Sequence, residues 1–276
     1  MPSRRALLRT LALGTVATAG CTGLTGPQNG SGDDPTRSVG DRFETDDGRA
    51  VRVAETAVHP SVATVEAISH HRYERVTDAG DDQYLSILVS TAGFEPGPGG
   101  WKRSDEPIDL PLAVETDGTR HDRVIPVGFD ERPDRDRVAV RVPVADVPDA
   151  RVVWEWDGGP QPGWRLSDNV VDDLAASPRF EVERFGVPDR VEAGETFEVT
   201  AEVRNVGDRA GRFLATLGAK RGSLGVPESS VSVDVGATGT LRESITAFDD
   251  GDRPIQVVLD WGAGRRERTV TVENGG

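Results

Sequence analysis

The sequence predicts an all-β chain: two β-sandwiches behind an export leader and a flexible tether. Three observations predict it. Val (35) outnumbers Leu (16) more than twofold, which favours pleated strands over helices. Apolar and polar residues alternate with period two in run after run. Clusters of Gly, Pro and Asp punctuate those runs, as in sandwiches and barrels. The 276 residues suffice for one or two real cores. A single Cys excludes a disulfide scaffold and a multi-thiolate zinc site. No run of ~20 apolar residues exists, which excludes a polytopic helical membrane protein.

Residues 1–20 read as a signal peptide. Arg4, Arg5 and Arg9 form a positive n-region, and a weakly apolar stretch runs from Leu11 to Gly20. Ser3-Arg4-Arg5-Ala6-Leu7-Leu8 resembles the twin-arginine export signal. Thr18-Ala19-Gly20-Cys21 resembles a lipobox, with Thr18 where Leu is usual. That resemblance implies that Cys21 becomes the N-terminus, carries lipid and holds the protein on the outer face of the cell membrane. Residues 21–48 then form a lipidated Cys and a tether. The tether is rich in Gly, Thr, Ser, Asp and Pro, and Leu24, Val39 and Phe43 are almost its whole apolar content.

The first sandwich is expected over 49–177. Its strands are Val51–Ala54, Val62–Ile68, Tyr84–Val89, Val138–Val144 and Arg151–Trp156. An acidic turn, Asp78 to Asp82, precedes the third. The single helix candidate is Ser167–Ala176, with Ser167-Asp168 able to cap it and Pro178 to stop it. The second sandwich is expected over 178–276. Strands start at Phe180 and at Phe197, where Phe197, Val199, Ala201 and Val203 share a face. Further strands cover Arg212–Leu217, Ser230–Val235, Thr240–Thr246, Ile255–Trp261 and Arg268–Val272. Gly262-Ala263-Gly264 reads as a hairpin turn. Seven strands in about 97 residues is the size of an immunoglobulin-like domain.

The segment VPDRVEAGETFEVTAEVRNVGDRAGRF (187–213) resembles the opening of a CARDB-type immunoglobulin-like domain. It contains the family's apolar segment, its Gly-acid turn and its strand ending in Asn-x-Gly, here Asn205-Val206-Gly207. Val62–Ala67, the acidic turn and Tyr84–Val89 resemble the DUF4352 family of immunoglobulin-type domains in secreted lipoproteins. Thr91-Ala92-Gly93 stands where that family has Asn after its second strand. Both resemblances imply two immunoglobulin-like β-sandwich domains and no shared catalytic apparatus.

The charge is skewed as well as large. There are 28 Asp, 19 Glu and 30 Arg against 2 Lys, for a net −15. Removing residues 1–20 takes away Arg4, Arg5 and Arg9 and no acid, so −15 becomes −18. Binding to nucleic acid through bulk charge is disfavoured, since phosphate repels such a chain. The composition resembles that of haloarchaeal proteins, whose carboxylates are screened at molar salt.

Candidate chemistry is sparse. No Gly-x-Ser-x-Gly, phosphate-binding loop or dinucleotide fingerprint is present. The His residues (59, 70, 71 and 121) lack metal-ligand spacing, and adjacent His70 and His71 on a strand point to opposite faces. Asp78, Asp81 and Asp82 lack EF-hand spacing. The acids Asp46, Asp47, Asp130, Glu131, Asp134 and Asp136 read as solvated surface. No catalytic residue, metal or cofactor is expected. Trp154 and Trp156 read as core, whereas Trp101 and Trp164, set in Gly/Pro loops, read as an exposed partner surface. The expected protein is a lipid-anchored, non-enzymatic surface module meeting another surface protein or a glycan. The alternative is an anchored ligand-binding lipoprotein or hydrolase with a site in the first sandwich's loops.

Overall fold

The computed structural model describes residues 36–68, 71–93, 111–127, 135–155, 161–220, 226–247 and 253–273. The chain is all-β, with one short helix among the described residues. Asp34–Gly276 form one compact unit. In it, two hydrophobic clusters lie in different stretches of chain, one from Val39 to Leu174 and one from Phe180 to Val272.

The first sandwich uses β1 (Arg37–Ser38), β2 (Arg42–Glu44), β3 (Ala50–His59), β4 (Ser61–Ile68), β5 (His71–Asp78), β6 (Asp82–Ala92), β7 (Leu112–Thr116), β8 (Thr119–His121), β9 (Val124–Pro126), β10 (Arg135–Pro143), β11 (Ala150–Trp154) and β12 (Gly163–Arg165). One sheet runs β1-β12-β11-β7-β8 and the other β2-β3-β6-β10-β9. Their inner faces meet through Val51, Val53, Leu85, Ile87, Val89, Val114, Val138, Val140, Val152 and Trp154. A bulge between Val53 and Glu55 flips the parity of β3, so Val58 turns inward after it. β6 is buried on both faces, which explains its nearly continuous apolar run. Its outer face carries Tyr84, which packs with Val62, Ala79, Ile125, Val127 and Ala139. β4 and β5 pair only with each other, as a long hairpin.

The body begins earlier than expected. Residues 36–48 belong to the first sandwich and not to a tether. β1 pairs parallel with β12, and β2 pairs with β3. Val39 and Phe43 pack on the core, and the Arg37 guanidinium lies 4.8 Å from the Phe43 ring centroid. The tether's residues 22–35 lie outside the described residues.

Helix α1 (Asp168–Leu174) follows β12. Ser167 holds the N-cap position without a side-chain cap bond, contrary to the expected hydroxyl cap; its carbonyl accepts from Val170 and Val171. Leu174 buries into the first core.

The second sandwich uses β13 (Phe180–Gly186), β14 (Arg190–Glu192), β15 (Thr196–Asn205), β16 (Gly211–Ala219), β17 (Glu228–Val233), β18 (Thr238–Thr246), β19 (Ile255–Asp260) and β20 (Arg265–Glu273). Its sheets are β13-β15-β18 and β14-β20-β19-β16-β17. β15 shows the expected alternation: Phe197, Val199, Ala201 and Val203 are buried, while Glu198 and Arg204 face solvent. Phe180 meets Phe213 edge-on at 5.5 Å between centroids. No helix among the described residues is long and apolar enough to cross a membrane.

Candidate functional site

The most elaborately built polar site is the junction between the two sandwiches. It starts from Asn205, the fully buried last residue of β15. Its Oδ1 accepts from Gly207 N (3.0 Å) and Arg179 N (3.3 Å), and its Nδ2 donates to Arg209 O (2.8 Å) and Val233 O (3.1 Å). The amide therefore uses both donors and both lone pairs of its oxygen, as a buried polar group requires. It bends the 205–211 corner and draws the linker 177–179 against it. The fit is close: a Cβ on Gly207 would sit 2.4 Å from Arg179 N and 2.5 Å from Ser177 O, so no larger residue is accommodated.

This corner aims Arg209 back at the first sandwich. Its Nη1 lies 3.1 Å from Asp173 Oδ2 on α1. Nε donates to Ala176 O at 3.1 Å and Nη2 to Val58 O at 3.4 Å. The Arg209 side chain is only 17% exposed, so these are largely desolvated, charge-assisted bonds. One guanidinium thus ties together the end of β3, α1 and the segment that leads into β13.

The β4–β5 hairpin supplies the second half. It lies against β16. Glu74 Oε2 accepts from Glu228 N at 2.9 Å. At the β19–β20 turn, Gly262 has φ +81° and comes so close to the hairpin that a Cβ would be 2.8 Å from Asp78 N and 2.9 Å from Val76 O. Glycine is required twice over there, by conformation and by space.

Electrostatics follow the packing. Burial holds the His59 imidazole below its ordinary value, and the guanidiniums of Arg212, Arg209 and Arg137 act the same way against Asp173. Burial raises the Glu228 carboxyl, helped by Glu74 and opposed by Arg212.

The expected site residues fare differently. Trp164 is a correction: it is fully buried in the first core, and its indole N–H donates to Asp41 O at 2.9 Å. It therefore offers nothing to a partner. Its loop neighbours suggested exposure, but β1 and β2 close over it. Trp154 is core, as expected. Arg4, Arg5, Cys21, His70, Trp101, Trp156, Asp130, Glu131 and Asp134 lie outside the described residues.

In the acidic turn, Asp78 Oδ1 accepts from Gly80 N at 2.7 Å, and Asp82 pairs with Arg141 at 2.7 Å. Asp47 is hydrogen-bonded by Arg49 and Thr45, which lowers it to about 2. Among the described residues no three His, Cys, Asp or Glu side chains converge on a metal position. His121 Nε2 lies 2.9 Å from Thr116 Oγ1, a spacing that a nucleophile and its base would show. Thr116 is 4% exposed, however, so its hydroxyl meets no substrate, and the pair satisfies buried polar atoms instead. The junction residues Arg209 and Glu74 were not singled out in the sequence, and Gly262 was read only as part of a hairpin turn. For Arg209 the available signal was Asn205-x-Gly207 with an Arg two residues on.

No family model matches the chain, and no curated protein matches it. Among solved structures it is similar to a beta-glucosidase from Listeria innocua, at 16% identity and TM-score 0.28 over 36% of this chain. It spans only 16% of that glucosidase's length. A chimeric titin Z1Z2 aligns at 11% identity and TM-score 0.20, over 70% of this chain and 89% of its own. A Bacteroides ovatus mixed-linkage glucan utilization locus protein, SGBP-B, in complex with a mixed-linkage heptasaccharide, aligns at 15% identity and TM-score 0.18, over 88% and 69%. Alignments this loose bear on no function.

Proposed function

We propose that this chain is an exported, lipid-anchored protein on the outer face of the membrane of a salt-loving organism, and that its two sandwiches form a binding or structural module and not an enzyme. The observation that carries this reading is the placement of Cys21. The chain's one cysteine follows small residues at the end of a weakly apolar stretch behind Arg4-Arg5. Each buried CH₂ of an acyl chain contributes ~0.8 kcal/mol, so two chains hold firmly where one would not. The junction supports the mechanical side of the reading. Arg209 and the β4–β5 hairpin tie the sandwiches at two separate places, as a unit that presents a fixed shape requires.

The test is Cys21→Ser expressed in a haloarchaeal host. The variant is exported and appears in the medium, while the parent stays with membranes. Membrane retention of the variant overturns the anchor. Replacing Arg4 and Arg5 by Lys keeps the charge but loses the guanidinium pair, so precursor accumulates inside the cell.

A further inference from the structure

A body anchored near its N-terminus is pulled through its first folded residues, so the bonds that hold those residues decide what yields. Among the described residues, β1 is the end strand of one sheet and β2 the end strand of the other. β1 is held by two residue pairs to β12, and β2 by three to β3. The opposite end of the chain is built differently. β20 lies inside its sheet, with three pairs to β14 and six to β19, and it buries Val270 and Val272. The strands next in line from the N-terminus are also firmer: β3 pairs with β6 over nine residues, and β6 with β10 over nine.

The direction of the load sharpens the contrast. β1 runs parallel to β12, so a pull on Arg37 against the chain leaving Arg165 shears only two pairs. β2 is antiparallel to β3, and its open end is Arg42 opposite Arg52, so the same pull peels that ladder one pair at a time. Between the two strands, Gly40 N donates to Val53 O at 2.7 Å, and the Trp164 indole N–H donates to Asp41 O at 2.9 Å. Val39 and Phe43 are only partly buried against the core, and the Arg37 guanidinium lies over the Phe43 ring. A segment with so few bonds and so little buried apolar surface opens at a fraction of the cost of global unfolding.

Resting on the anchored reading of Cys21, we propose that residues 37–49 are a load-released strap. Pulled from the anchored end, they come away first and lengthen the link to the membrane while both sandwiches stay folded. When the pull relaxes they dock again. β3 and β12 keep their other partners, β6 and β11, so the seat of the strap persists after release. At roughly 3.5 Å per residue, about 13 residues free about 45 Å of contour length. Release also uncovers Trp164, which gives up its bond to Asp41 O.

The test is force spectroscopy on the full, unlipidated chain in molar NaCl, with one handle on the Cys21 thiol and the other at the C-terminus. A reversible early step of about 45 Å precedes the sandwich ruptures, each of which frees about 300 Å or more. Moving the first handle past the strap, with Cys21→Ser and Arg52→Cys, removes the early step and leaves the ruptures in place; Arg52 is exposed on β3. Phe43→Ala speeds the early step about tenfold at a given force, and Arg37→Ala, which takes the guanidinium off that ring, acts in the same direction. A trace from Cys21 without the early step overturns the strap. So does an early step that survives from position 52, or one that neither variant speeds. None of these readings involves lipid, so the anchor is judged separately, by where Cys21→Ser is found in the cell.

Discussion

Arg209→Ala removes one of the two bond sets that join the sandwiches, and its magnitude follows from burial. The ion pair to Asp173 is half-open to water, with side chains 17% and 43% exposed, and is discounted to about 1 kcal/mol. The bond to Ala176 O is charge-assisted and better shielded, and contributes about 2 kcal/mol. The 3.4 Å contact to Val58 O adds little. A loss of about 3 kcal/mol results. In a body of this size it corresponds to a fall in Tm of about 6–12 °C if the sandwiches melt together. Calorimetry at molar NaCl gives one transition for the parent. For the variant, the coupling is weak enough that the transition broadens or splits in two. Arg209→Lys restores a point charge but not the fork, and recovers less than half. The control is Arg204→Ala, where a 52% exposed side chain sits 3.9 Å from Glu183 and contributes almost nothing. If Arg209→Ala shifts the melt no more than Arg204→Ala does, the junction is not held as described.

Three other outcomes are expected. A chain beginning at residue 49 lacks β1 and β2 and uncovers Trp164; it melts lower than one beginning at residue 34, with red-shifted tryptophan fluorescence, and Trp164→Phe in the full chain costs about 1–3 kcal/mol through the orphaned Asp41 carbonyl. The folded state keeps His59 neutral below its ordinary value, so its contribution is intact above about pH 6.5 and declines as pH falls toward the lowered folded value, by at most ~1.4 kcal/mol per pH unit; His59→Gln flattens that slope in melts recorded against pH. The net charge of −15 makes the melting temperature climb with NaCl or KCl toward molar levels, with a β-type far-ultraviolet spectrum throughout, and a melt indifferent to salt refutes the halophilic reading.

What the sequence made legible was the local pattern. β15 announces itself by alternation, and β6, β16 and β19 by dense apolar runs. What it hid depends on distant partners. Residues 36–48 hold too few apolar side chains to look folded, yet β1 is completed by β12, more than a hundred residues away. Trp164 looked exposed because Gly and Pro surround it in sequence, and its lid comes from Asp41. β8 and β9 are too short to show any period. The junction was half legible. Asn205-x-Gly207 marks a corner in the sequence, but that the corner grips a linker and throws an arginine across to α1 is a matter of tertiary placement.

The scarcity of Lys gains a structural reason once the Arg contacts are followed. Two guanidiniums serve a carboxylate and a backbone carbonyl at once. Arg209 pairs with Asp173 while donating to Ala176 O and Val58 O. Arg141 pairs with Asp82 at 2.7 Å through Nε while its Nη2 donates to Ala79 O at 2.7 Å, closing the turn between β5 and β6. A planar fork can divide its donors between two directions, whereas an ammonium is a compact, strongly hydrated point charge. Elsewhere Arg stands across from Glu on neighbouring strands: Arg151 with Glu115 on the first sandwich, and Arg242 with Glu198 on the second. Single exposed pairs of that kind contribute little when salt screens them. The bonds to carbonyls are different, since a buried acceptor without a donor is penalised at any salt concentration. Under molar salt, then, the arginines that matter most for this fold are the few that close its turns and its junction, and not the many that decorate its sheets.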